Sequence, residues 1–157
     1  MKKTHPPAFV ADCHLGKLAK YLRLMGFDTL YFPQIDDNDL IALANEERRI
    51  ILSRDRELCE RNKAPCCFLQ PIDTAAQLKE VVRTYRLKTL KSPFSRCIVC
   101  NTPLKKIDKN DVVDRLPSKV KIYFSDFEIC TECDRIYWHG DHYKKMKAFL
   151  DRVLEDV

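Results

Sequence analysis

The stretch FVADCHLGKLAKYLRLMGFDTLY, residues 9–31, predicts a strand, a helix and a second strand in immediate succession. Its opening apolar residues end at Asp12, and the apolar residues that follow recur at helical spacing, namely Leu15, Leu18, Ala19, Leu22 and Met25. Gly26 stands where a helix C-cap glycine belongs, and DTLYFP at 28–33 reads as the second strand. The connections are short, so this unit predicts parallel strands joined by a helical crossover.

The same alternation continues through the first half of the chain. Strands are predicted at 8–11, 28–33, 49–53 and 66–70, and helices at 15–25, 37–47, 56–62 and 74–86. Thr74 and Gln77 have the spacing of a capping box at the start of the last of these helices. Four strand–helix units in a row predict an α/β fold: a Rossmann-like parallel sheet with helices on both faces.

The character of the sequence changes after this unit, at the basic linker KTLKSPFS, residues 88–95. We therefore predict two parts, an α/β domain at 1–90 and a smaller module at 91–157 that ends in a helix at 141–154. Within the module, KVKIYF at 119–124 and RIYW at 135–138 suit a β-hairpin arm.

The module holds two CxxC pairs, whose members are Cys97, Cys100, Cys130 and Cys133. Each pair can present two sulfurs from one tight turn, so the two pairs predict a closed, structural zinc site with four cysteine ligands. Asn101 and Asp134 follow the pairs and are residue types that tolerate the positive φ of such turns. The alternatives are disulfides or free thiols. The remaining cysteines lack partner spacing and are predicted to be small buried apolar residues: Cys13, Cys59, Cys66 and Cys67.

The totals favour a soluble intracellular protein. The 157 residues carry a net charge of +5, residues 1–14 do not have the pattern of a signal peptide, and nothing approaches a membrane-spanning length. We expect a cytoplasmic location. Nine Lys or Arg stand against two acids between Lys79 and Lys109, which predicts either a solvated surface or a surface for phosphate backbones. With three glycines, the chain has neither a P-loop nor a dinucleotide fingerprint.

Acidic residues follow every predicted strand, namely Asp12, Asp36, Asp37, Asp39, Asp55 and Asp73. Parallel strands bring their carboxyl ends to one edge of a sheet, where carboxylates can hold Mg²⁺ or Mn²⁺ for phosphodiester cleavage. The alternative is that these residues are helix N-caps, because each lies near a predicted helix start. Asp12 and Asp55 are the strongest candidates for a metal site, and Asp73 is the weakest.

Three segments together resemble the mut-seven C-terminal RNase domain family. They are residues 9–31, the segment DDNDLIALANEERRIILSRDRELCER at 36–61, and the cysteine module with PFSRCIVCNTPL and ICTECDRIYWHGDHYKKM. The resemblance covers about residues 8–147. It implies a PIN-like nuclease fold followed by a zinc ribbon, and a metal-dependent ribonuclease that acts on RNA.

By this resemblance, the metal-binding acids fall on Asp12, Asp37 and Asp55, and the supporting hydroxyl falls on Ser53. His14 stands where PIN-like enzymes often have Asn; it is either a hydrogen-bonding partner of water or phosphate, or a helix-start residue. A fourth acid has no secure counterpart, and Asp73 and Asp39 are the candidates.

Contacts with single-stranded RNA are also predicted. Arg54 and Arg56 flank Asp55 and either bind phosphates or are ordinary surface residues at a helix start. Aromatic residues near the ribbon either stack on bases or pack in the ribbon's core, namely Phe94, Tyr137 and Trp138. The favoured function is a divalent-metal-dependent ribonuclease. The alternative is a non-catalytic RNA- or ribosome-binding adaptor, and a weaker third is a protein–protein module on an α/β scaffold.

Overall fold

The computed structural model describes residues 5–61 and 63–157, and it confirms the predicted alternation of strands and helices. The elements of the first half are β1 (Phe9–Ala11), α1 (Gly16–Leu24), β2 (Thr29–Tyr31), α2 (Asp37–Glu47), β3 (Ile50–Ser53), α3 (Arg56–Arg61), β4 (Cys66–Phe68) and α4 (Thr74–Tyr85). Residues 1–4, part of the segment assessed for a signal peptide, lie outside the described residues. So does Asn62, the predicted last residue of the third helix.

The four strands form one parallel sheet in the order β2-β1-β3-β4, which confirms the α/β fold class. Alternate side chains of β1 enter different cores, because successive residues of a strand point to opposite faces. Phe9 and Ala11 pack with residues of α1 and α4, whereas Val10 packs with residues of α2 and α3. Helices therefore cover both faces of the sheet.

Gly26 ends α1 as predicted, and it does so with a left-handed φ of 95°. A Cβ at this position would lie 2.2 Å from the carbonyl oxygen of Ser92, so the close approach requires glycine. The linker is fixed there by backbone bonds, since the N–H of Phe94 donates to the carbonyl of Leu24 at 2.8 Å. The start of the cysteine module is thus anchored at the end of α1.

A second sheet forms in the module, with the antiparallel order β5-β6-β7. The elements of the second half are β5 (Lys105–Ile107), α5 (Lys109–Val112), α6 (Ser118–Tyr123), β6 (Phe127–Ile129), β7 (Ile136–Tyr137) and α7 (Asp141–Leu154), with 3₁₀ turns at Leu87–Thr89 and Val113–Arg115. The module has a small core of its own whose buried members are Val112, Leu116, Val120 and Phe127.

The prediction of a strand at 119–124 is wrong, because Ser118–Tyr123 forms the helix α6. Val120 is buried and Phe124 packs on the same small core, whereas Ile122 is 72% exposed. The apolar residues that pack are therefore four apart, which is the spacing of a helix.

The helix predicted at 141–154 is confirmed as α7, and it packs against the first half of the chain. Its buried residues join the larger core, namely Met146, Leu150, Val153 and Leu154. The rings of Tyr21 and Phe149 also stack at 4.4 Å between centroids. The division of the chain at residue 90 stays a prediction, and α7 connects the two sides of that boundary. None of the described helices is long and apolar enough to cross a membrane.

Two local predictions need correction. The N-cap of α4 is Asp73 and not Thr74, since the Asp73 carboxylate accepts the N–H of Ala76 at 2.9 Å. The capping box is absent because the Gln77 amide turns back to the carbonyls of the two residues before Asp73.

The second correction concerns the unpaired cysteines. Cys59 and Cys66 form a disulfide between α3 and β4, so the prediction that both are unpaired buried residues is wrong. The prediction is confirmed for Cys67, which is buried, while Cys13 is partly exposed.

Candidate metal centres at the two ends of the parallel sheet

Asp12 and Asp55 lie at the carboxyl end of the parallel sheet, one residue after β1 and two residues after β3, and Ser53 connects them. The buried Ser53 hydroxyl donates to Oδ2 of Asp12 at 2.9 Å and accepts the backbone N–H of Asp55 at 3.0 Å. One hydroxyl thus fixes a carboxylate on one loop and the backbone of the next. The structure brings together the two acids that the sequence favoured most.

The carboxylates of the two acids also have local partners. Oδ1 of Asp12 accepts the N–H of Cys13 at 2.7 Å, and Oδ1 of Asp55 accepts the N–H of Leu58 at 3.3 Å. The second bond is a helix cap for α3, so the N-cap alternative applies to Asp55 and leaves its Oδ2 for a ligand. Asp12 does not cap α1, whose N-cap is Leu15.

Asp37 is the first residue of α2, the helix that follows β2, so its position is at the same end of the sheet. Burial, followed by the charge and hydrogen bond of Asp12 and then the charge of Asp37, raises the pKa of the Cys13 thiol. Asp37 itself is paired with Arg61, with 2.7 Å between Nη2 and Oδ2. Both partners are partly exposed, so water screens this ion pair.

The three acids are hard oxygen donors of the type that Mg²⁺ and Mn²⁺ prefer. Within residues 5–61 and 63–157, however, only the four module cysteines bring three or more candidate ligand atoms within 4.8 Å of one another. The carboxylates of Asp12, Asp37 and Asp55 are therefore chemically suited to bind a divalent cation. One of them, Asp37, forms an ion pair with Arg61.

The other predicted residues at this end have defined places. Arg54 donates to the carbonyl of Gln70 at 3.3 Å, and the guanidinium of Arg56 lies 4.9 Å from the centre of the Phe68 ring. His14 is exposed. Of the fourth-acid candidates, Asp73 caps α4 and Asp39 is exposed on the first turn of α2.

The four cysteines of the module form the tighter centre. Their sulfur atoms all lie within 4.8 Å of one another, and those of Cys97 and Cys133 are 3.7 Å apart. The group can hold a structural metal ion such as zinc.

The two CxxC turns repeat the same backbone pattern. In the first, the N–H of Asn101 donates to the carbonyl of Cys97, and in the second Asp134 does the same to Cys130, both at 2.8 Å. Asn101 has a φ of 70° and Asp134 a φ of 65°, so both have the left-handed backbone that their residue types suggested.

The four thiols do not ionise independently of one another. The hydrogen bond that the Cys100 thiol donates to Cys133, followed by burial and the charges of the neighbouring sulfurs, raises the pKa of Cys100 to about 12. Burial opposes ionisation of Cys133, but hydrogen bonds from Arg135 and its neighbours outweigh it and lower that pKa to about 6. Adjacent sulfurs therefore cannot all ionise by themselves, and a divalent cation removes this conflict.

The cysteine module contacts the amino end of the sheet, opposite the acids, through a polar network that the sequence did not predict. The side chain of Asn101 accepts the N–H of Thr29 at 2.9 Å and donates to Asp28 at 2.7 Å. Asp28 also forms a two-pronged ion pair with Arg49, at 2.7 and 3.2 Å. Burial alone would raise the pKa of Asp28, but the hydrogen bonds from Arg49 and Asn101 outweigh it and lower that pKa.

A second buried arginine completes this contact. Arg23 of α1 donates to the carbonyl of Thr29 at 2.8 Å and to those of Ile98 and Val99 at 3.1 and 3.0 Å. The carbonyls of Ile98 and Val99 belong to the first CxxC turn. The one sequence signal was Arg23 itself, a charged residue between the apolar Leu22 and Leu24 of α1.

These observations define an α/β protein with an acidic sheet end and, at the opposite end, a cluster of four cysteines that can hold a metal ion. A model of the Mut7-C RNAse domain family matches residues 7–150, nearly the whole chain, and the chain belongs to that family. This confirms the resemblance found in the sequence, and at the level of the family it supports a nuclease or RNA-related function. No curated protein matches the chain, and no solved structure matches it.

Proposed function

We propose that this chain is a divalent-metal-dependent ribonuclease with a PIN-like active site at the carboxyl end of its parallel sheet. The single observation that carries the proposal is the Ser53 hydroxyl, which holds the Asp12 carboxylate and the Asp55 backbone in fixed positions in a protein of an RNase domain family. Asp12, Asp37 and Asp55 would hold Mg²⁺ or Mn²⁺. When bound, such a cation lowers the pKa of water and stabilises charge on phosphate oxygens.

The residues around the acids support RNA as the substrate. Arg54 and Arg56 flank Asp55 and keep guanidinium donors at the exposed edge, where they can contact phosphates. Zinc in the cysteine centre has a structural role, because four sulfurs leave no open coordination position. The substrate is unpaired RNA, and the module contributes to binding it.

The experiment that tests this proposal is the cleavage of a labelled single-stranded RNA in Mn²⁺ or Mg²⁺. The wild type is compared with the Asp12→Asn, Asp55→Asn double variant and with Asp151→Asn, a control at an exposed acid on α7. We expect the double variant to lose cleavage and the control to retain it. Equal cleavage by all three proteins would refute the assignment of the site.

A second candidate function is a non-catalytic RNA-binding adaptor. The observation that favours it is the ion pair between Asp37 and Arg61, which neutralises one of the three acids. An adaptor would bind RNA with equal affinity in the wild type and in the double variant, and neither protein would cleave it with either metal. Retained binding together with metal-dependent cleavage by the wild type excludes this function.

A further inference from the structure

A groove of about 670 Å³ separates the antiparallel sheet of the module from the start of α7 and the end of α1. Its walls are mainly apolar and include Leu24, Phe94, Ile136, Trp138 and Met146. Concave, mostly apolar sites with a few polar groups are typical ligand-binding sites. The groove touches the end of α1 that is remote from Asp12, so it is separate from the acidic site.

Three aromatic rings form a column along this groove. The centroid of the Tyr143 ring lies 3.8 Å from that of Phe94 and 3.8 Å from that of His139. Because the centroids of Phe94 and His139 are 6.0 Å apart, the column is bent at Tyr143. The planes of His139 and Tyr143 differ by only 11°, so these two rings are stacked. Phe94 and Tyr143 are half-buried, whereas His139 is exposed. The column therefore runs from the protein interior to the surface and ends in a ring with an accessible face.

The base of the column is held in an unusual backbone conformation. Phe94 has a φ of 62°, which is costly for a bulky side chain, and its N–H is fixed to the carbonyl of Leu24 at 2.8 Å. This conformation places the Phe94 ring against Tyr143. The column is thus built into the anchored linker.

The polar groups of the groove match the parts of a ribonucleotide. Its cations are Arg96, Lys106 and Lys109, and its carboxylates are Asp108, Asp126, Glu128 and Asp141. Arg96 and Lys109 also donate to backbone carbonyls, so Lys106 is the cation best placed to meet a phosphate. Aromatic faces and His rings stack on unpaired bases, cations bind phosphate, and carboxylates accept hydrogen bonds from 2′-hydroxyl and base amino groups. A hydrophobic peptide has no group that pairs with the Lys106 ammonium or with these carboxylates, which argues against such a peptide as the occupant.

We propose that this groove binds an unpaired nucleotide of single-stranded RNA, whose base continues the aromatic column on the exposed face of His139. The inference rests on the proposed function in that RNA is the substrate. It adds a second RNA-binding site at the far end of the molecule from the acids, so the chain holds its substrate at a point away from the bond that it cleaves.

Trp138 makes the test direct, because it is the one tryptophan of the chain and it lines the groove. A short single-stranded oligoribonucleotide is titrated into the Asp12→Asn, Asp55→Asn variant while tryptophan fluorescence is recorded. We expect a saturable change in fluorescence. We expect His139→Ala to raise Kd roughly 5- to 100-fold, because the loss of a stacked base costs about that much.

Two further variants separate stacking from general effects. His139→Phe keeps an aromatic face and should restore binding to within a few-fold of the parent. Tyr123→Ala removes a 75% exposed aromatic of α6 that does not line the groove, and it should leave Kd unchanged. The deoxyribonucleotide of the same sequence should bind more weakly, because it lacks the 2′-hydroxyl groups.

Unchanged tryptophan fluorescence, or an equal Kd for His139→Ala and the parent, would overturn the proposal. RNA cleavage by the wild type is measured separately. If the wild type cleaves RNA and His139→Ala binds it normally, the groove is not an RNA-binding site, and the proposed nuclease function stands. If binding depends on His139 but the wild type does not cleave RNA, the groove is an RNA-binding site, and the proposed nuclease function is wrong.

Discussion

The two ends of the parallel sheet differ in how their charged groups are satisfied. At the amino end, Asp28 and Arg49 form an ion pair that Asn101 joins, and the side chains of Arg49 and Asp28 are 9% and 35% exposed. At the carboxyl end, Asp37 and Arg61 form an ion pair in which the side chains are 41% and 56% exposed. The first end is closed by another part of the same chain, and the second is open to solvent. Buried polar partners therefore mark the structural end, and accessible ones mark the end available for a ligand.

The largest expected effect at the amino end comes from removing a zinc ligand. Cys130→Ser should release the metal and destabilise the protein by at least about 5 kcal/mol, since structural zinc contributes folding free energy directly. Guanidinium unfolding and the measured zinc content check this expectation.

Cys13→Ser is the matched control for that substitution, because Cys13 is a free cysteine outside the metal centre. It should keep the zinc content of the wild type. If Cys130→Ser kept both the zinc content and the stability of the wild type, the cysteine centre would not be what stabilises the amino end of the sheet.

The second-largest loss of stability is expected from a substitution in the polar network of Asp28, Arg49 and Asn101. Asp28→Ala leaves Arg49 with only its longer ion pair to Glu47 and removes an acceptor from Asn101, which should cost about 2 kcal/mol of unfolding free energy. Asp39→Ala, at an exposed acid of α2, should change stability by less than about 0.5 kcal/mol. Equal effects of the two substitutions, measured by urea unfolding, would contradict the contrast between the ends.

The same network predicts a dependence of stability on pH. Because its hydrogen bonds lower the pKa of Asp28 in the folded protein, the stabilisation is fully present above the ordinary pKa of about 3.9. It is lost as the pH falls through the lowered value. The difference in unfolding free energy between wild type and Asp28→Asn should therefore shrink below about pH 4. A difference that stays constant down to about pH 2 would rule out this linkage.

The smallest stability effect is expected at the carboxyl end. Arg61→Ala removes a solvent-exposed ion pair, so stability should change by less than about 1 kcal/mol. The substitution frees Asp37, and we expect Mn²⁺ to bind more tightly, as measured by calorimetry in the absence of RNA. Arg86→Ala, at an exposed arginine after α4, serves as the control. Weaker Mn²⁺ binding to Arg61→Ala would contradict the role given to this ion pair.

Much of the fold could be predicted because it depends on short-range patterns. The apolar spacing of α1, the glycine at its end and the short connections to β1 and β2 are all local, and together they leave few arrangements of the chain. The location of Asp12 and Asp55 at one end of the sheet followed from strand polarity. The four-cysteine centre followed from ligand spacing, because each CxxC turn forms its geometry within a few residues.

The errors arose where contacts distant in sequence decide the structure. Residues 119–124 alternate like a strand, but packing on the small core selects the helical spacing of Val120 and Phe124. The pairing of Cys59 with Cys66 depends on how α3 meets β4. The contacts of Arg23 and Asn101 join segments more than 70 residues apart, and no local pattern reports such distances.

Asn101 has a consequence for how the chain can be shortened. Its side chain covers the backbone N–H of Thr29, on the outermost strand of the sheet. A fragment that stops at residue 90 would uncover this strand and remove α7 from the larger core. An unprotected sheet edge readily recruits further copies of itself, so such a fragment would be prone to aggregate. The cysteine module therefore covers the edge of the sheet at Thr29 and hinders that edge from pairing with other copies of the chain.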